Sequence, residues 1–233
     1  MEDNKRKIKI TKNGPYLVTG NIPLAKEIII GDFQENPIKW EKGDSYPKEE
    51  TYALCRCGNS KNKPYCDGSH VKTEFNGTET ASKEKYLEQA GKIEGDGIYL
   101  TDVPDFCSAA RFCHRAGGTW NLTKNSSDPK SKEIAIEEAC NCPSGRLVMW
   151  DEKTGKPIEK EFEPQTSIIE DSTLGVSGPI WVKGGIPIEG ENGEKYETRN
   201  RVTLCRCGHS QNKPYCDGSH IDVEFNDGDK NIN

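Results

Sequence analysis

Eight residues in two short stretches carry the most specific chemistry in this chain. Cys55, Cys57, Cys66 and His70 form the pattern C-x-C-x8-C-x3-H, and Cys205, Cys207, Cys216 and His220 form it again. Three thiolates and one imidazole in a short loop are enough donors to hold a metal centre, and the duplication argues against chance. Zinc is the obvious competitor, but zinc loops usually separate their first two cysteines by two to four residues, and here one intervenes. The middle of the chain adds Cys107-x5-Cys113, Cys140 and Cys142, the last opening Cys142-Pro143-Ser144-Gly145-Arg146-Leu147. A cysteine followed by proline also ends bacterial ferredoxin ligand runs. A zinc site and buried free cysteines are the alternative readings of this middle set. His114 reads as a surface or supporting residue. His209 stands where the first loop has Asn59 and is not counted as a ligand.

The stretches Cys55–His70 and Cys205–His220 resemble the CDGSH iron–sulfur family, the NEET or mitoNEET-like group. Both match its signature C-x-C-x2-[ST]-x3-P-x-C-D-G-[STA]-H, including Ser60, Pro64, Ser210 and Pro214. The resemblance implies a [2Fe-2S] cluster in each unit. Cys55 and Cys57 would hold one iron, Cys66 and His70 the outer one, and Cys205, Cys207, Cys216 and His220 would repeat this. A neutral imidazole in place of a thiolate removes a negative charge and raises the potential, as two do in Rieske centres. Asp67-Gly68-Ser69 is expected to open a short helix whose free N–H groups face the cluster. Asp67, Ser69, Asp217 and Ser219 are therefore candidate cofactor-binding residues, with N-capping the plainer role for the aspartates. Pro64 and Pro214 should shape the turn, and Tyr65 and Tyr215 should shield the cluster. Members of the family are often homodimers with exchanged strands, and tandem members fold both halves from one chain.

The middle segment resembles the divergent 4Fe-4S mono-cluster ferredoxin-like domain, which pairs C-x5-C with a later C-P-S-G-A-L. That implies one [4Fe-4S] cluster, held by Cys107, Cys113 and Cys142. Cys140 is extra to the pattern and fills the role of a fourth thiolate. Ala109 stands where that family often has histidine, and Arg146 replaces its alanine.

The elements that must position these residues also repeat. Residues 51–76 match 201–226 at 18 of 26 positions. Gly14 to Pro23 aligns with Gly178 to Pro187 at a larger offset, so the first copy carries 14 extra residues before its cysteines. Each unit reads strand, turn, strand, ligand loop. Tyr16 to Val18 and Tyr52 to Leu54 are the predicted strands, with counterparts at Ile180 to Val182 and Val202 to Leu204. Residues 77–92 read as a polar linker with a short helix near Lys83 to Ala90. A helix from Asp105 to Ala116 should stop at Gly117-Gly118. Another should have Asp128 as N-cap, Pro129 at its first position and a run from Lys130 to Ala139. Trp120 to Leu122 and Leu147 to Trp150 read as strands. On one straight helix Cys107 and Cys113 would point about 120° apart, so one of them belongs at a helix end or in a loop.

Apolar residues make up 32% of the 233, with Gly 23 and Pro 13, so the cores are thin and metal is an apt staple. A net charge of -6 without a basic patch argues against nucleic acid. Met1 to Lys7 leads into no apolar run, and no stretch approaches the roughly 20 apolar residues of a spanning helix. Clustered cysteines without a secretion signal favour metal over disulfides and a cytoplasmic location without membrane attachment. The reading is a small α+β protein: two β-rich units packed as an intrachain pseudo-dimer with a ferredoxin-like α+β insert. Its parts are 1–76, a linker 77–92, the cysteine-rich domain 93–152, a second unit 153–226 and a frayed tail 227–233. The expected function is electron transfer with a redox partner protein, in a monomer with an internal pseudo-twofold. Storage or transfer of a cluster to an apo-acceptor protein, or redox sensing, is the alternative. A small oxidoreductase is the third reading, less favoured because no phosphate loop, nucleophile–base set or flavin signature is present.

Overall fold

The computed structural model describes residues 6–230. Alternation writes the first strands. β1 (Lys7–Ile10) and β2 (Tyr16–Thr19) each bury every second residue, so one face of their antiparallel ladder meets the core. β3 (Leu24–Gly31) and β4 (Pro37–Ser45) form a hairpin that accommodates the 14 extra residues of the first copy. β5 (Thr51–Leu54) pairs with β2 and runs straight into Cys55. Helices α1 (Ser69–Lys72) and α2 (Tyr86–Gln89) follow.

The middle segment is a four-stranded antiparallel sheet in the order β6 (Gly91–Glu94), β7 (Ile98–Asp102), β8 (Leu147–Asp151), β9 (Pro157–Ile158). Between β7 and β8 lie two short 3-10 turns, then α3 (Thr119–Lys124) and α4 (Pro129–Asn141). Asp128 caps α4 as expected, its carboxylate accepting from Ser131 N, with Pro129 in the first turn.

Two expectations fail here. Trp120 to Leu122 is helical: Leu122 enters the core under the sheet, and Trp120 Nε1 donates to Asp102 at 2.8 Å. Asp105 to Ala116 is not one helix. Ala109 and Arg111 adopt positive φ, because Arg111 reaches Asp171 at 2.6 Å while Ala110 and Phe112 bury against Trp181 and Ile169. Tertiary contacts override a good local helix sequence.

The second unit comprises β10 (Gln165–Asp171), β11 (Val176–Lys183), β12 (Ile188–Glu189), β13 (Arg201–Leu204) and α5 (Ser219–Asp222). The halves exchange strands reciprocally. β12 adds in parallel to β1, with Ile188 opposite Ile8, and β3 adds in parallel to β10, with Leu24 opposite Thr166. The sheets are therefore ordered β12-β1-β2-β5 and β13-β11-β10-β3-β4, with β4 the asymmetric addition. One core joins Ile8, Ile10, Val18 and Leu54 to Ile180, Val182, Val202 and Leu204. All eight residues of β11 are buried, since the middle segment covers its other face.

The segment 77–92 is pinned rather than loose: Thr80 N donates to Lys213 O, and the Tyr86 hydroxyl bonds Thr101 O and Arg146 O. The start of the expected frayed tail is also held, because Asp227 pairs with Arg206 at 2.6 Å and Asp229 with Lys26. Its last residues, 231–233, lie outside the described part. No helix among the described residues is long and apolar enough to cross a membrane.

The β3–β4 hairpin docks through Trp40, which stacks on Phe112 at 4.9 Å, meets Trp181 at 4.8 Å and donates to Asn141 O at 3.1 Å. Trp40→Ala should lower stability by about 2 kcal/mol, below the fully buried case because the ring is half-exposed. Hydrogen exchange should quicken over 107–118 while α4 stays protected. Unchanged exchange there would show that the hairpin does not brace the cysteine loop.

Candidate metal centres

Each CDGSH loop leaves a strand and returns to it. Cys55 N donates to Pro64 O and Cys66 N to Ala53 O; Cys205 N and Cys216 N repeat this with Pro214 O and Thr203 O. Lys63-Pro64 and Lys213-Pro214 are cis. The loop then enters its short helix through Gly68 or Gly218, at φ 85° and 92°. A side chain would be strained at either position.

This path sets the donors in pairs. Cys55 Sγ and Cys57 Sγ are 3.7 Å apart, and Cys66 Sγ lies 3.4 Å from His70 Nδ1. In the second unit the distances are 3.9 Å and 3.4 Å. Among the described residues no three His, Cys, Asp or Glu side chains converge on one ion. The hydrogen bond from Cys57 pulls the Cys55 thiol down to about 6, and that from Cys207 pulls Cys205 down to about 7. The same bonds, with burial, raise Cys57 and Cys207. Each pair thus gives up one proton readily and the second only to a cation. Burial pushes the His220 imidazole down to about 4, leaving it neutral with a lone pair to offer.

The aspartates serve the loop. Asp67 accepts from Lys61 N at 2.8 Å and Ser69 N at 2.9 Å, and the Lys61 bond, with those from Ser69, holds its carboxyl well below the usual range. Asp217 does the same with Gln211 N, Ser219 N and the Ser219 hydroxyl. Gly68 and Gly218, not these aspartates, are the N-caps. Asp67, Ser69, Asp217 and Ser219 thus tie each loop to its helix. The groups turned toward sulfur are backbone: Asn59 N on Cys57, Gly68 N on Cys66, His209 N on Cys207 and Gly218 N on Cys216, each at 3.5 Å. Tyr215 is buried against Phe106 and Tyr196, while Tyr65 is half-buried.

Sequence reasoning passed over the arginine between the first two ligands, although both copies keep it. Arg56 and Arg206 are each 1% exposed, so they lie wholly beneath the loops. Arg56 donates to Gly14 O and Gly77 O, and its Nη1 finds no partner. Arg206 donates to Gly178 O and Ile169 O and pairs with Glu170 and Asp227.

In the middle segment Cys107, Cys113 and Cys142 line one small, mostly apolar cavity of about 20 Å³. Burial pushes the Cys113 thiol up to about 12, and Cys142 and Cys107 add to the rise. Arg146, where the related domain has alanine, is held by Asp102 at 2.6 Å and 3.0 Å and faces the Cys107 sulfur. It places positive charge beside this group of cysteines. These three cysteines border one hollow without forming a single-ion group among the described residues, and they are the donors a cluster there would use. Cys140 does not join them. It lies on α4 with its sulfur toward Ile158 O at 3.4 Å and lines a different hollow, beside Asn141 and Lys160. Neighbours two apart on a helix face different ways, and Cys142 has already left α4. His114 is exposed.

Cys66→Ser and Cys216→Ser should each remove about one [2Fe-2S] equivalent and the double variant both. Iron and sulfide that survive the double change would sink the terminal sites. Cys140→Ser should leave the iron of the middle segment in place, whereas Cys113→Ser should release it. The reverse pattern would restore Cys140 as a ligand.

Residues 13–71 and 177–221 match the family described as iron-binding zinc finger CDGSH type, and residues 93–152 match the one described as divergent 4Fe-4S mono-cluster. No curated protein and no solved structure matches the chain. The cysteine sets fall inside these three segments, and the chain therefore carries the CDGSH family twice, in tandem, around a divergent 4Fe-4S mono-cluster unit.

Proposed function

We propose that each CDGSH unit binds one [2Fe-2S] cluster through its three cysteines and one histidine, and that the protein carries electrons between partner proteins. The middle segment, on this reading, binds a [4Fe-4S] cluster through Cys107, Cys113 and Cys142. The observation that carries the reading is the two-by-two grouping of donors. One tetrahedral zinc would draw all four onto a single point, whereas a binuclear centre wants two at each end. When bound, such clusters supply one-electron redox chemistry. The chain's own residues do the rest. The backbone N–H groups on the sulfurs offset negative charge, the neutral imidazole withholds it, and the buried arginines fix the loops against movement. The reciprocal strand exchange supports an intrachain pseudo-dimer that needs no second copy. Three thiolates leave the fourth corner of the middle cluster to a non-cysteine ligand.

Delivery of a cluster to an apo-acceptor protein is favoured by one observation. Cys66 and His70 are half-buried while the other unit's ligands are wholly enclosed, so release would begin at the first unit.

Anaerobically purified protein should hold about eight irons per chain, with both cluster types in the EPR spectrum and full recovery after reduction and reoxidation. About four irons would remove the middle centre, and zinc in their place would refute the reading. Irreversible bleaching on reduction, with transfer to an apo-ferredoxin, would turn it to delivery. Protons compete with iron for imidazole, so bleaching should quicken as the pH falls, with the buried His220 site holding its cluster to lower pH than the His70 site. His70→Cys with His220→Cys should slow that loss and lower the [2Fe-2S] potentials together. Neither effect appearing would show that histidine is not the labile ligand.

A further inference from the structure

The two CDGSH sites repeat in sequence but not in surroundings. A Cβ on Gly218 would lie 3.2 Å from Ala109 Cβ and 3.8 Å from Cys107 O, so the outer end of the second site rests on the middle cysteine loop. Phe106 packs on Tyr215 at 4.8 Å, and Asn212 Nδ2 donates to Asp105 O at 2.7 Å. At the first site a Cβ on Gly68 would meet nothing within 4 Å. The inner ends of the two sites face each other. A Cβ on Gly58 would come 2.3 Å from Cys207 O, one on Gly208 would come 2.6 Å from Cys57 O, and Tyr16 donates to Cys205 O at 2.9 Å. Cys205, Cys207, Cys216 and His220 are buried, whereas Cys66, His70, Cys107, Cys113 and Cys142 keep some exposure.

Resting on the iron–sulfur reading above, we infer that the three centres form one series, His70 site, His220 site, middle cavity, in which the His220 site is an internal relay. Each step oxidises one centre by one electron and reduces its neighbour by one. External one-electron carrier proteins exchange only with the two ends. The His70 end is more positive than the relay: exposed Lys61 and Lys72 stand where the second unit has Gln211 and Asp222, Lys72 next to the exposed Val71, while the acids Asp67 and Glu74 recur as Asp217 and Glu224. In a chain of net charge -6, that local gain of positive charge directs an acidic carrier to the His70 end.

The test uses holoprotein with every centre reduced. The EPR signal of the middle centre should be broadened by its neighbour. Cys66→Ser should keep that broadening and Cys216→Ser should abolish it. Broadening that is absent, lost with Cys66→Ser, or retained in Cys216→Ser overturns the order. A second measurement leaves the ligands of the wild type intact. Bathophenanthroline should strip one [2Fe-2S] centre about tenfold faster than the other, because burial protects the second. His70→Cys alone should slow the fast phase. Equal rates, or a fast phase that responds to His220→Cys instead, overturn the relay. Lys61→Gln with Lys72→Asp should slow oxidation of the reduced protein by ferricyanide about threefold at low salt and leave it unchanged at high salt. An unchanged rate at low salt refutes the acidic partner. A wrong iron count or irreversible reduction refutes the underlying function before any coupling is measured, so the two failures are distinct.

Discussion

Two glycines let the ligand loops touch. Gly58 and Gly208 sit at φ 76° and 88°, and each presents its bare α-carbon to the carbonyl of the other unit's second cysteine. A side chain at either would be strained and would also force the loops apart. That contact fixes how the halves meet. From it follow the reciprocal parallel pairs, β12 on β1 and β3 on β10, and the single core that runs through both sheets. The arginines then lock each loop from beneath, so the donor pairs stand on a frame that cannot drift without unpairing buried guanidinium groups.

The symmetry stops at the middle segment. The β3–β4 hairpin, present in one half only, reaches across to Phe112 and Trp181 and completes the apolar bed under the cysteine loop. Arg111 ties the same loop to Asp171 on β10. The middle segment is thus seated on the second unit's sheet by ring packing and a partly buried ion pair, and the cavity of Cys107, Cys113 and Cys142 is formed where those restraints bend the chain.

Much of this was legible in the residues. The spacing of the CDGSH ligands marked both loops, and strands Tyr16 to Val18 and Tyr52 to Leu54 lie inside β2 and β5, because Gly and Pro bounded alternating apolar positions. The cap Asp128-Pro129 located α4. What could not be read were features set by distant neighbours. β3 and β10 pair across more than half the chain, and nothing local announces a partner that far away. The run Asp105 to Ala116 reads as one helix ending at Gly117-Gly118, a local stop signal, while the distant Trp181 and Asp171 decide its shape. Cys140 was paired with the other cysteines by count, but a helix turns its sulfur elsewhere.

Reciprocal strand exchange between halves of one chain also has a hereditary consequence. In an assembly of two identical copies, every substitution appears on both sides of the axis, and a shield built over one site shields the other too. Here each half is encoded separately. Gly77 and Asp227 occupy equivalent places under Arg56 and Arg206, and have diverged so that one guanidinium meets a backbone carbonyl and the other a carboxylate. Selection can therefore act on one site without asking permission of its twin, keeping the shared architecture while the two environments follow separate histories.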